Sequence, residues 1–109
     1  MEYLNKIEIR GIVGQVSFAE VGEKRRANFS VCTHRFYKNK NGEDVFDTTW
    51  FNVSAWEGPK NQFPDIKKGD FVGVTGRLRI QKYATSEGAK SSVQEVVATS
   101  VTLIQSAEE

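Results

Sequence analysis

The 109-residue sequence has one cysteine, one histidine, one methionine and two prolines. The lone Cys32 excludes an internal disulfide and any multi-cysteine metal site, so nothing here calls for an oxidising compartment. No apolar run approaches the length of a membrane-spanning helix. The opening MEYLNKIEIRG carries charge where a secretory signal would carry an apolar core, which makes a cytoplasmic protein the expectation. Internal repeats and low-complexity tracts are absent, and no long helical stretch stands out. His34 and Cys32 lack, in sequence, the partners that a metal site or a nucleophilic dyad requires, and they read as a surface histidine and a small semi-buried thiol. Asp65 and Asp70 flank a turn and read as turn formers rather than a catalytic pair. No reaction is assigned, and no cofactor or metal is expected.

Excess charge is also missing, since the formal net charge is +1. That total conceals a distribution. From Lys24 to Lys40 every charged side chain is basic (Lys24, Arg25, Arg26, Arg35, Lys38, Lys40), and from Phe71 to Ser86 the only charges are Arg77, Arg79 and Lys82. A balanced sum can hide a cationic face, and such a face would suit a polyanion.

What the chain does contain is alternation. In Asp47 to Trp56, Phe51, Val53 and Ala55 share one phase with Val45, whereas Thr48, Trp50, Asn52, Ser54 and Trp56 share the other. Both tryptophans therefore ride with the polar side chains, on the face an ordinary half-buried strand turns to water. Some other surface or a ligand must meet them there.

Around this third strand the spacing predicts four more. The first is Tyr3 to Val16, interrupted by Gly11 and Gly14, which mark a bulge or a bend at a barrel corner. Ser17 to Arg26, with Gly22, reads as a connection into a second strand, Ala27 to Arg35. Asn41-Gly42 is a strong hairpin signal between the second and third strands. Beyond Trp56, Pro59 fits a first helical turn but Pro64 forbids a long helix. Lys67-Lys68-Gly69-Asp70 turns into a fourth strand, Phe71 to Tyr83, with Val72, Val74, Leu78 and Ile80 on one face and Phe71, Thr75, Arg77, Arg79, Gln81 and Tyr83 on the other. Gly88 centres a hairpin tip before the last strand, Ser92 to Ile104, and a short polar tail covers residues 105–109. The expectation is one domain over residues 1–104: an all-β, five-stranded Greek-key barrel of the oligonucleotide/oligosaccharide-binding (OB) type, with at most a short helix between strands three and four.

Trp50, Trp56, Phe71 and Tyr83, with Arg77 and Arg79 among them, combine flat rings with positive charge. Unpaired nucleobases stack on aromatic faces with little regard for sequence, and lysines and arginines neutralise the backbone. Any one of these aromatics could instead sit in an oligomer interface. Their joint occurrence in one phase of two strands favours a nucleic-acid face. Phe46 shares the tryptophan phase but, being near the turn, reads equally as a loop-packing residue.

The strings Asn5-Lys6-Ile7, Asn28-Phe29-Ser30-Val31, Thr49-Trp50-Phe51-Asn52-Val53, Lys67-Lys68-Gly69-Asp70 and Gly76-Arg77-Leu78-Arg79 running into Lys82-Tyr83 make the chain similar, along nearly its whole length, to the bacterial single-stranded DNA-binding protein family. The resemblance implies base-stacking roles for Tyr37 or its neighbour Phe36, and for Trp50, Trp56 and Tyr83. It also implies a homotetramer that wraps single-stranded DNA in replication, recombination and repair. Phosphate contacts are expected from Arg25, Arg26, Arg35, Lys38, Lys40, Arg77, Arg79 and Lys82. Family members usually continue into a linker with an acidic, apolar tip that recruits replication and repair proteins. The resemblance implies replication and repair proteins as partners, although the usual recruiting tail is absent from this sequence, which stops at Glu108-Glu109. The alternative is an OB-fold assembly factor of the primosome type, acting mainly through protein contacts.

Overall fold

A computed structural model describes residues 1–58, 62–84, 86–88 and 90–108, with Tyr83, Ala84 and Lys90 described in their backbone only. Five strands make up the fold: β1 (Ile7–Val21), β2 (Lys24–Lys38), β3 (Asp44–Glu57), β4 (Phe71–Ala84) and β5 (Lys90–Gln105). They close into a barrel in the order β1-β2-β3-β5-β4, with β3 and β5 parallel and every other neighbour antiparallel. This is the expected Greek-key order. No helix occurs among the described residues, and the proposed helical turn at Pro59 falls outside them.

β1 closes the barrel by changing partners midway. Its first half pairs with β4 and its second half with β2, and Ile12 belongs to both ladders. The register shifts between Val13 and Val16, so Gly14 and Gln15 form the bulge anticipated from the glycines. The Gln15 amide, which has no ladder partner there, donates to Ser30 Oγ at 3.0 Å. Bulged amides need such a substitute when the regular pairing is broken.

The sequence reading is corrected at the next turn. Ser17–Arg26 is not a connection, because β1 runs to Val21 and β2 starts at Lys24. Gly22, at φ 64°, takes the first central position of a two-residue hairpin turn, a place that demands positive φ. The β2–β3 hairpin instead uses the loop Lys40-Asn41-Gly42. Asn39 Oδ1 accepts from the amides of Asn41 (2.9 Å) and Glu43 (3.0 Å).

Inward-pointing β-branched residues fill the barrel. Val13, Val31, Val72, Val74 and Val96 are fully buried, with Phe29, Val53, Ala55 and Ile66 packed among them. A second correction concerns Leu78 and Ile80, which keep the core phase of β4 yet are exposed. The β4–β5 hairpin outruns the barrel, so alternation continues where there is no interior left to fill. The β2–β3 hairpin also extends past the core as an arm, with both faces exposed from Arg35 to Lys38.

Asp70 fastens the turn into β4. It is 2% exposed. Its carboxylate accepts from the Lys67 amide at 2.8 Å and the Ala107 amide at 2.9 Å. These two bonds hold its carboxyl below the usual aspartate range. Asp70 is thus the turn former that its position suggested.

Candidate nucleic-acid interface

The outward phase of β2 and β3 can be followed row by row through the ladder. Phe36 faces Phe46, then His34 faces Thr48, Cys32 faces Trp50, Ser30 faces Asn52, Asn28 faces Ser54 and Arg26 faces Trp56. Both tryptophans point away from the core, as the alternation required: Trp50 is 58% exposed and Trp56 37%. Six residues of strand at about 3.3 Å each set them roughly 20 Å apart on one wall.

Between them lies an open groove of about 620 Å³ whose lining mixes hydrogen-bonding side chains (Asn28, Ser30, Asn52 and Ser54) and the charged Lys68 and Glu95 with apolar Val16, Phe29, Val53 and Val93. The row through Ser54 continues across β5 to β4, since Ser54 pairs with Val97 and Val97 with Arg77. Arg77 therefore stands on the same outer wall, two strands beyond the tryptophans, with Arg79 one step along. Both are exposed. Among the described residues neither reaches a carboxylate within ion-pair distance.

Local sequence explains how each tryptophan is held. Trp50 lies across β1 at Gly14: a Cβ added there would fall 2.5 Å from the indole ring and 2.7 Å from Ser30 Oγ. Glycine is thus what lets the indole rest against the wall. Trp56 is held by charge, because the Arg26 guanidinium carbon sits 5.4 Å from its ring centroid. Arg26 Nε is buried without a hydrogen-bond partner. The aromatic face is the stabilising contact for this cation, in keeping with the attraction of guanidinium for ring quadrupoles.

Other predicted residues stand elsewhere. Phe36 shares the tryptophan face, but Tyr37 points to the opposite side of the arm, under the Arg35 guanidinium at 4.8 Å. The pair left open by the sequence is thereby separated. Phe71 faces outward from β4 in the same phase as Arg77, and its row runs through Ile12 and Cys32 to reach Trp50. It does not line the groove. Arg25 takes the inward phase at the barrel's end, bonded through Nε to Glu57 at 2.7 Å, 3.7 Å from Asp65, and 4.7 Å above the Phe18 ring. Its charge is already matched. Lys38 lies 3.6 Å from Asp44 at the arm's tip, and Lys40 and Lys82 are exposed. Tyr83 pairs with Ser91 through its backbone, while its side chain lies outside the described residues.

Two residues that sequence reasoning set aside belong to the tryptophan face. The Phe46 ring stacks on His34, with centroids 4.7 Å apart, and meets Phe36 at 4.8 Å. Phe46 had the right phase. His34 carried no signal until the register placed it beside Thr48. His34 Nε2 also lies 3.8 Å from Cys32 Sγ, whose thiol is buried. Among the described residues no three His, Cys, Asp or Glu side chains cluster as metal ligands would.

Comparison with known proteins gives a consistent answer. The chain is 30% identical over 110 residues to single-stranded DNA-binding protein 1 of Clostridium acetobutylicum, covering 97% of this chain and 98% of that protein. It is 33% identical over 81 residues to the single-stranded DNA-binding protein of Streptococcus pyogenes serotype M3, covering 73% of this chain but 48% of the relative. The chain thus spans about half the length of the streptococcal proteins it matches. Among solved structures, the Plasmodium falciparum SSB in complex with single-stranded DNA superposes with a TM-score of 0.82 at 23% identity, covering 96% of this chain and 98% of that one. The small single-stranded DNA-binding protein of Streptomyces coelicolor superposes with a TM-score of 0.68 at 21% identity, covering 94% and 95%. These two show the fold. The family model described as "Single-strand binding protein family" matches residues 4–104, and by that match and the clostridial identity the chain belongs to the single-strand binding protein family.

Proposed function

We propose that the protein is a non-enzymatic binder of single-stranded DNA that takes bases against Trp50 and Trp56 with little regard for sequence. In this reading it protects exposed strands in replication, recombination and repair. The observation that carries it is the outward placement of both indoles on one wall, either side of a groove whose lining includes the amides of Asn28 and Asn52 and the hydroxyls of Ser30 and Ser54. Arg26 beside Trp56, and Arg77 and Arg79 two strands away, supply charge for the phosphates. We read Tyr83 and Phe36 as further stacking groups, and Lys40 and Lys82 as exposed cations near the path.

The family supports a homo-oligomer, expected to be a homotetramer, acting in the cytoplasm. Among the described residues no helix is long and apolar enough to cross a membrane. Titration with poly(dT) tests the reading: binding should quench tryptophan emission, and log affinity should fall with log salt at about 0.7 per phosphate neutralised. Unquenched emission at low salt would refute it. An assembly factor working mainly through protein contacts would instead keep both indoles shielded from a small quencher in the DNA-free protein.

A further inference from the structure

We propose that Asn5 is a positioning residue for DNA binding: its carboxamide takes the place of a missing strand beside Leu78 and so fixes the course of β4 through Arg77 and Arg79, the two arginines offered to phosphates. This rests on the reading of the chain as a single-stranded DNA binder.

β1 stops short of the part of β4 that carries these arginines. The β1–β4 ladder ends at the pair Ile7 and Gly76, and the backbone of residues 1–6 belongs to no strand. Two further antiparallel steps would set residue 5 opposite Leu78, and residue 5 is asparagine. Its side chain makes the pairing that its backbone does not. Nδ2 donates to the Leu78 carbonyl at 2.7 Å, and the Leu78 amide donates to Oδ1 at 2.9 Å. A carboxamide holds a donor and an acceptor side by side, as the edge of a strand does, so one asparagine satisfies both groups at once. Alanine there would return this stretch of strand edge to water.

The two bonds fall on the peptide units that join the arginines. The Leu78 amide belongs to the unit that follows Arg77, and the Leu78 carbonyl to the unit that precedes Arg79. On the opposite edge of β4 the pairing with β5 shifts register between Thr75 and Gly76. Thr75 pairs with Ser100 and Gly76 with Ala98, and the extra residue, Thr99, donates from Oγ1 to the Thr75 carbonyl at 3.1 Å. Such a bulge bends the ladder and raises its twist. Gly76 leaves no room for a Cβ against the Val97 carbonyl. The β4–β5 hairpin therefore changes course immediately before Arg77, and Asn5 holds the new course from the other side. Arg77 and Arg79 are exposed and, among the described residues, have no ion-pair partner to orient them. Their aim is set by the backbone beneath, and a backbone ordered in advance loses less freedom when a strand binds.

Labelled oligo(dT), read by fluorescence anisotropy over a salt series, tests the proposal with wild type, Asn5→Ala, the double variant Arg77→Ala with Arg79→Ala, and the triple variant. Asn5→Ala should lower affinity roughly three- to tenfold and flatten the slope of log affinity against log salt by part of the roughly 0.7 due to each phosphate contact. In the double-arginine background the same substitution should cost nothing further, because Asn5 acts only through those two side chains. Hydrogen exchange at the Leu78 amide should quicken in Asn5→Ala, while the buried Val74 amide exchanges as in wild type. Asn5 is exposed, so the variant should melt close to wild type. Asn5→Ser, whose single hydroxyl cannot bond both peptide groups, gives the same readings if the alanine variant does not fold. Wild-type affinity in Asn5→Ala, an equal loss with and without the arginines, or unaltered exchange at Leu78 would overturn the proposal. If the double-arginine variant still flattens the salt slope, the DNA-binding reading survives that failure; absence of wild-type binding would sink both.

Discussion

At the scale of single residues, the face depends on where flat rings are set and what sets them. Trp50 and Trp56 are held differently, one by the space at Gly14 and the other by the Arg26 cation. Replacing either with alanine should weaken single-stranded DNA binding by about 1 to 3 kcal/mol, the worth of one base on one ring, measured by titration with oligo(dT). Gly14→Ala should act indirectly. Its methyl group would displace the exposed Trp50 ring, so affinity should fall several-fold while the melting temperature changes little. A large loss of stability with unaltered affinity would show that Gly14 serves only the bulge.

At the scale of elements, the charges divide into those already matched and those left for a ligand. Arg25 is tied to Glu57 and Asp65, whereas Arg77 and Arg79 project from β4 without such partners among the described residues. Arg77→Ala should therefore reduce the slope of log affinity against log salt by about 0.7. Arg25→Ala should leave the slope alone and lower the melting temperature, because Glu57 loses its partner. The turn before β4 has its own signature. Amides of Ala107 and Lys67 depress the Asp70 carboxyl in the folded chain. The resulting stability is complete above the unfolded aspartate value, about 3.9, and is lost as pH falls through the lower folded value. Asp70→Asn should melt several degrees below wild type at neutral pH, with the gap closing in strong acid.

At the scale of the whole molecule, most of the architecture could be read from alternation. The third strand's two phases, the bend of the first strand and the Asn41-Gly42 hairpin each have a local cause visible in sequence. Three features did not. A two-residue turn at Gly22 inside a charged stretch looks like a loop until the ladder shows Glu20 opposite Arg25. Adjacent aromatics, Phe36 and Tyr37, give no apolar alternation by which to choose a face. Contacts such as His34 with Phe46 are set by cross-strand register, which no single strand contains. Oligomerisation belongs to this scale too. Light scattering should give a mass near four times 12.3 kDa, and a monomeric mass at micromolar concentration would remove the expected wrapping.

One consequence follows from the ladder that joins Phe46, Trp50 and Trp56. Their separations of four and six residues are even, and only even separations keep side chains on one surface of an extended chain. Length variation in this hairpin is therefore quantised. Inserting one codon between the tryptophans would send one indole into the valine interior, or force a bulge to absorb the extra residue. Inserting two would merely lengthen the track.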